Sequence, residues 1–514
     1  MNNESRTINS VRNTIFSVIG QGIAILLSFI VRFVFIRCLP IEYLGLNGLF
    51  ASVLTILSLA ELGIGTAIIY SMYKPIAEHN QEKICVLMRL YAKVYSAIGV
   101  FVAIAGVAIS PFLNQFIKDM PDIEGLKGIY FIFLFDTVAS YFFAYKRSLL
   151  SADQRESVLS INHLVFILIK SILQIVTLVV FKNFYIYLGI QVVCTLAENI
   201  RVSILVDKLY PFLKEYKGET KLDKDESRSI IKNVKALFIY KASSVFLGGI
   251  DNLIISSQIG VICVAIYSNY TLIINALINV INMFTTSITA SIGNFIATEK
   301  EEGQKKLFER VVFINFLLFG FSSVCLATLL NPFIKVYSGR NMLLSSHAVI
   351  IMVLNFFIQG MMSPIWTFRT TMGLFVYGRW RPVISAVINF SLSMFFAQFL
   401  GIEGVLIATA ISRITTNLWY DPYIVYKKGW NISPASYYFA FVKYSSLVIG
   451  ATVVVSVLSD IIPFTSSILG FIFRLCWVVL LTTIIFSVIV VFNPDKEYFE
   501  NVVRRLVLKV RKKL

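Results

Sequence analysis

Residues 32–75 read RFVFIRCLPIEYLGLNGLFASVLTILSLAELGIGTAIIYSMYKP. The stretch contains the end of one apolar helix with Arg32 inside it, a polar corner at Arg37, Pro40, Glu42 and Gly45, and a second apolar helix with Glu61 inside it. Crossing a bilayer core takes about 20 apolar residues, and both arms have that length. A charge at the centre of a membrane helix costs about 2.5–3.5 kcal/mol on insertion scales. Two opposite charges carried at that cost mark a pathway.

The remainder of the chain repeats this pattern. Of its 514 residues 57% are apolar and 15% charged, and the mean hydropathy is +0.77. Apolar runs recur about fourteen times, which predicts an all-α polytopic membrane protein. The first run, Thr14 to Ile36, is longer than the apolar part of a cleaved signal and lacks a small-residue cleavage site, so it is expected to stay in place. The longest polar connection, DKLYPFLKEYKGETKLDKDESRS after the sixth run, divides the chain. The expected layout is a six-helix lobe over 1–206, a linker over 207–231, and a second six-helix lobe over 232–426. Two added helices follow over 427–492, then a basic amphipathic tail over 493–514. Six being even, the lobes share an orientation, as in a parallel repeat about an axis along the membrane normal.

The formal charge of +17 raises nucleic acid as a partner, but the basic residues lie in the connections between apolar runs. With a cytoplasmic N-terminus, twenty-nine Lys and Arg fall on inner connections and tails against six on outer ones (Arg37, Lys118, Lys127, Lys182, Lys335, Arg340). The charge therefore sets topology, with both termini cytoplasmic. The tail VVRRLVLKVRKKL pairs cations with apolar residues in the manner of a helix lying on anionic membrane lipids. Six cysteines occur singly and only three histidines are present, so no metal site is expected.

The polar residues inside the runs are periodic. The eighth run carries Ser268, Thr271, Asn275, Asn279, Asn282, Thr286, Thr289 and Gly293 at steps of three and four, a single stripe along one helix face. Such a face meets water, ligand or other polar helices. Thr55, Ser58, Glu61 and Gly65 repeat the rhythm in the first half, and the seventh run adds Lys241, Ser244, Gly248 and Asn252 beside Asp251. Shorter stripes are Asp136, Ser140 and Arg147; His163, Lys170, Gln174 and Thr177; Gln191, Thr195 and Glu198; and Thr409, Arg413 and Thr416. The ninth, thirteenth and fourteenth runs are nearly uncharged and are expected against lipid.

Within the two lobes the cations Arg32, Arg89, Lys93, Lys170, Arg201, Lys235, Lys241, Arg369 and Arg413 outnumber the anions Glu61, Asp136, Glu198 and Asp251. Unneutralised cations in low dielectric call for an anion from elsewhere, and an anionic substrate fits. Arginine suits phosphate through its planar fork of donors. Two readings stand for Arg89, Lys93, Arg201 and Lys235, which are close enough to helix ends to snorkel into headgroups. Glu198 and Arg201, three apart, are placed to pair. The candidate substrate-binding set is thus Arg32, Arg89, Lys93, Lys170, Lys241, Arg369 and Arg413, flanked by the stripe Asn275, Asn279, Asn282 and Thr286. No P-loop occurs, and the Asp223-Lys224-Asp225 triplet sits in a charged loop, so neither an ATPase nor a sugar-nucleotide transferase is indicated.

The run EYLGLNGLFASVLTILSLAELGIGTAIIYSMYKPIAEHNQEKI, preceded by the arginine-bearing first helix, closely resembles the N-terminal region of bacterial polysaccharide transport proteins. These are the Wzx-type oligosaccharide repeat-unit flippases of the multidrug/oligosaccharidyl-lipid/polysaccharide exporter superfamily. The resemblance is strongest over Arg32 to Lys83. It implies two six-helix lobes around a cavity open alternately to either side of the plasma membrane, and an undecaprenyl-diphosphate-linked oligosaccharide as substrate. No cofactor is implied. A proton or sodium gradient would supply the drive, with Glu61, Asp136, Glu198 or Asp251 as proton carrier. Polymerase and co-export proteins are the implied partners. The alternatives are a peptidoglycan-precursor flippase, a cation-coupled drug exporter, and a non-transporting scaffold of a polysaccharide-synthesis complex.

Overall fold

The computed structural model describes residues 6–61, 64–118, 123, 125–216, 218, 249–374, 377–378, 380–461 and 467–497. Every regular element among these residues is helical. In chain order they are α1 (Arg6–Cys38), α2 (Ile41–Leu57), α3 (Ile64–Ala77), α4 (Gln81–Ile109), α5 (Leu126–Ala152), α6 (Glu156–Val180), α7 (Phe184–Leu209) and the single turn α8 (Phe212–Glu215). There follow α9 (249–258), α10 (Val261–Thr298), α11 (Glu301–Tyr337), α12 (Ser346–Thr371), α13 (Arg381–Ser412), α14 (Trp419–Ile424), α15 (Ala435–Asp460) and α16 (Ile468–Val491).

Eleven of the described helices are long and apolar enough to cross a membrane. The chain is thus an all-α polytopic membrane protein. Three local facts separate this count from the apolar runs. The second run is not one helix: α2 ends at Leu57, a 3-10 turn spans Ser58–Glu61, and α3 begins at Ile64. Glu61 therefore sits at a break and not within a continuous helix. The eleventh and twelfth runs count as one, although Gly401 interrupts them with φ 58° and ψ −135°. Most of the seventh run, with Lys235, Lys241, Ser244 and Gly248, lies outside the described residues, as do the Asp223-Lys224-Asp225 triplet and the tail from 498.

Helix starts follow from their caps. Asn80, Asn183, Ser345 and Ser467 each accept a first-turn amide at the head of α4, α7, α12 and α16, satisfying one donor that the helix leaves open. The chain divides into two compact units, Met1–Ser268 with Pro382–Val405, and Asn269–Arg381 with Leu406–Leu514.

In the first unit α5 is central and packs against α2, α3, α4, α6 and α7, while α1 lies along α6. Small residues set the approach of these helices. A Cβ on Gly45 would lie 2.0 Å from the Val261 carbonyl oxygen, and one on Gly106 would lie 2.4 Å from Leu134. Phe35, Leu46, Leu49, Phe50, Tyr130 and Leu149 are fully enclosed in this core.

In the second unit the central element is α11, packed against α12, α15 and α16. This corrects its expected lipid-facing position. Some 61% of its most apolar stretch is buried, against 17% for α15 and for α16. A helix without charges is as well suited to the middle of a bundle as to lipid. The deciding feature is the small-residue segment Gly320, Ser322 and Ser323, all buried, which lets neighbours close in.

Candidate functional site

The first unit holds an open cavity of about 740 Å³ with polar and apolar lining. The Ser58–Glu61 break supplies Ser58 and Glu61, α3 supplies Gly65, α4 Tyr95, α5 Asp136, Ser140, Tyr141, Arg147 and Ser148, and α7 Thr195 and Asn199. The break is what admits Glu61. Ending α2 a turn early leaves the chain in a tight turn whose carboxylate is delivered beside α4, where the Tyr95 hydroxyl donates to Glu61 Oε1 at 3.3 Å. Tyr141 lines the same cavity as this carboxylate. Gln191 Nε2 donates to Asp136 Oδ2 at 3.1 Å. Beside the cavity, Arg147 pairs with Glu198 at 2.7 Å, and His163 Nδ1 lies 3.2 Å from the same oxygen. Three of the four carboxylates read from the sequence are therefore gathered around one space. Glu198 does not pair with Arg201, which instead lies over the Phe166 ring at 5.9 Å.

The fourth carboxylate, Asp251, is buried on α9, and its neighbour Asn252 donates to Ser52 Oγ of α2 at 3.0 Å. Arg32, half-buried on α1, donates to Ser268 Oγ at 2.8 Å. That bond ties the arginine of the opening hairpin to the first residue of the Asn/Thr stripe. Lys93 is exposed on α4 and Lys170 half-buried on α6. Arg89 is held by the segment after α7: it donates to the carbonyls of Tyr216 and Gly218 and stacks 4.9 Å over the Tyr216 ring. The Tyr216 hydroxyl in turn donates to Glu82 at 3.2 Å.

In the second unit Asn275, Asn279 and Asn282 are all exposed on α10. The Thr286 side chain and Lys241 fall outside the described residues. Arg413 donates to the Asn355 carbonyl at 2.8 Å. Arg369 is buried and pairs with Asp421 at 2.5 Å, and it also donates to the backbone of Leu374 and Tyr377. Asp421, fully enclosed, further holds Arg381 at 3.1 Å and the Trp366 indole N–H at 3.1 Å. The tally of intramembrane anions thus omitted Asp421.

Among the described residues no group of three or more metal-binding side chains converges. Carboxylates, arginines and amides set among helices long and apolar enough to cross a bilayer define a class, the polytopic membrane proteins with a polar interior. The family follows from the sequence. A profile described as polysaccharide biosynthesis protein matches residues 10–290, more than half of the chain, and the chain belongs to that family. The match overlaps residues 32–83, the stretch that resembles the polysaccharide transport proteins.

Solved structures share the fold. The lipid II flippase MurJ, in an inward closed conformation, is 14% identical, with a TM-score of 0.66 over 92% of this chain and 98% of that one. A MATE transporter of Vibrio cholerae, VcmN, is 14% identical with a TM-score of 0.57 over 83% and 96%. A MATE protein in complex with MaD3S is 17% identical with a TM-score of 0.54 over 82% and 96%. Among curated proteins no significant sequence match occurs.

Proposed function

We propose that this protein is a flippase that moves undecaprenyl-diphosphate-linked oligosaccharide repeat units, destined for capsule, O-antigen or exopolysaccharide, outward across the cytoplasmic membrane by alternating access. The family match over residues 10–290 carries the reading. In this proposal fourteen helices form two six-helix lobes, 1–206 and 232–426, joined by the 207–231 linker, with two helices (427–492) and a basic tail (493–514) added. Both termini are cytoplasmic, and polymerase and co-export proteins act alongside. The lumen set Arg32, Lys93, Lys170, Lys241 and Arg413 meets the diphosphate, and the Asn275, Asn279, Asn282 and Thr286 stripe meets the sugars. A proton or sodium gradient drives the cycle through Glu61, Asp136, Glu198 or Asp251.

The likeness to MurJ favours a second reading, in which the cargo is the peptidoglycan precursor. One experiment separates the two. Deletion of the gene, followed by mass spectrometry of polyprenyl-diphosphate glycans, is expected to show one repeat-unit oligosaccharide accumulating on the carrier on the cytoplasmic side. Arg32→Ala is expected to reproduce the accumulation at unchanged membrane abundance. Accumulation of a muropeptide-bearing lipid selects the second reading. Unchanged carrier lipids with unchanged surface polymer overturn the flippase assignment.

A further inference from the structure

The second unit holds an open pocket of about 260 Å³ with polar and apolar lining. Of its polar residues, α11 contributes Glu309 and Arg310, α15 Lys443 and Tyr444, and the chain just past α16 Asn493 and Asp495. On α11 no charged residue follows Arg310 until Lys335, and the apolar run of α16 ends at Phe492. The pocket therefore lies where hydrocarbon gives way to headgroups, the level at which tyrosines collect. Tyr426 and Tyr437 join Tyr444 in its wall.

The four charges of the lining are of two kinds. Arg310 and Asp495 are committed to each other, with Nε and Nη2 each donating to a carboxylate oxygen at 3.1 Å. Lys306, outside the lining, acts on the same Asp495. Glu309 and Lys443 differ: both are exposed, and among the described residues neither takes part in a hydrogen bond or an ion pair. Lys443 is also the only charged residue of α15 before Asp460. A cation carried in an otherwise apolar membrane helix is met by headgroups when no protein anion meets it. Asn493 adds a donor, because its Oδ1 accepts the Asp495 amide at 2.9 Å, which leaves its NH2 for another partner.

One carboxylate and one ammonium in a single small pocket complement a ligand that carries both charges in the opposite sense. A purely anionic headgroup would set its charge against Glu309 as well as against Lys443. A phosphate joined to a primary amine satisfies both, since an ammonium donates N–H to a carboxylate and a quaternary amine has no N–H to give. The volume lies just under the range of about 300–1,000 Å³ usual for small-ligand sites, which suits a headgroup and not an oligosaccharide. Val312, Phe313 and Ala440 continue the lining with apolar surface for an acyl chain.

We infer that this pocket is a phospholipid site that selects a zwitterionic headgroup with a primary amine, as in phosphatidylethanolamine. Lys443 and Asn493 hold the phosphate, and Glu309 holds the ammonium. The inference stands whatever cargo the protein carries.

The test uses the purified full-length protein, stripped of lipid in detergent, with native mass spectrometry reading the lipid bound. Phosphatidylethanolamine, phosphatidylcholine and phosphatidylglycerol are titrated in turn. Phosphatidylethanolamine is expected to bind about tenfold more tightly than either of the others, the worth of one hydrogen bond to a charged group. Glu309→Gln is expected to abolish that preference, and Lys443→Gln to weaken phosphatidylethanolamine and phosphatidylglycerol alike by about tenfold. Both residues are exposed, so the thermal midpoints of the variants are expected to match the wild type. Lys300→Gln, exposed and outside the lining, is expected to change nothing. Soluble phosphoethanolamine at the same concentration is expected to leave the lipid in place. Equal affinity for the three lipids, a preference that survives Glu309→Gln, or the same loss in Lys300→Gln overturns the site. Displacement by soluble phosphoethanolamine overturns the lipid assignment, because the pocket would then take a free solute.

Discussion

At the scale of single residues, Asp421 is the most enclosed charge among the described residues. It has no solvent contact and sits between two guanidiniums, at 2.5 Å from Arg369 and 3.1 Å from Arg381, with the Trp366 N–H on one of its oxygens. A buried pair that loses one partner leaves an uncompensated charge, at a cost of about 3–5 kcal/mol, whereas replacing the whole group by apolar residues of similar volume is often neutral. Asp421→Asn is therefore expected to lower the thermal midpoint of the purified protein sharply. The triple replacement Arg369→Met, Arg381→Met, Asp421→Leu is expected to recover most of it. Midpoints in the reverse order would show that the group does not act as one electrostatic unit. The cluster also explains why a count of membrane cations read from sequence overstates the charge free to meet a substrate. Arg369 was legible as an intramembrane arginine, but its partner lies 52 positions away, beyond any periodic signal within one helix. Arg89 illustrates the same limit, since its partners are backbone carbonyls of a connection. Side-chain spacing carries no information about those.

At the scale of elements, three of the polar stripes share residues with the first-unit cavity. The stripes Thr55, Ser58, Glu61, Gly65 and Asp136, Ser140, Arg147 and Gln191, Thr195, Glu198 lie on three stretches of chain, and residues from each line one space. What the stripes did not carry was the break at Ser58–Glu61, because Thr55, Ser58, Glu61 and Gly65 keep helical spacing straight through it. The burial of α11 was equally hidden, since hydropathy does not distinguish lipid from a packed neighbour. Helix breaks yield a direct test. Gly401 holds φ 58° and ψ −135° inside α13, a combination outside the regions open to residues with a Cβ. Forcing a side chain into such a conformation costs about 1–3 kcal/mol, even though nothing lies within 4 Å of the position. Gly450, helical in α15 and equally uncrowded, is the matched control. There alanine replaces the poorer helix former, whose disadvantage is about 0.8–1.0 kcal/mol. Thermal unfolding is expected to fall for Gly401→Ala and to hold or rise for Gly450→Ala. Equal behaviour of the two would mean that the backbone at 401 relaxes to an ordinary helix when a side chain is added.

At the scale of the whole molecule, the distribution of charge along the chain makes a statement about orientation that can be read from outside the cell. Lysines and arginines cluster on alternate connections, and such an excess holds a connection in the cytoplasm. In the proposed topology the end of α5, which carries Lys146, Arg147 and the cavity residue Ser151, faces the inner side. The six native cysteines form no disulfide, and replacing them with serine or alanine leaves a background for single-cysteine labelling. In intact cells a membrane-impermeant maleimide is expected to label Lys182→Cys and Asn341→Cys, both exposed between helices. Glu302→Cys, Lys427→Cys and Ser151→Cys are expected to react only after the membrane is opened. Adding the carrier-linked oligosaccharide to opened vesicles is expected to slow the reaction at Ser151→Cys alone, because only that position lines the cavity. The opposite labelling pattern would invert the chain and with it the direction of the proposed transport. Labelling as expected, with Ser151→Cys indifferent to the cargo, would keep the orientation and place the sugars elsewhere in the lumen.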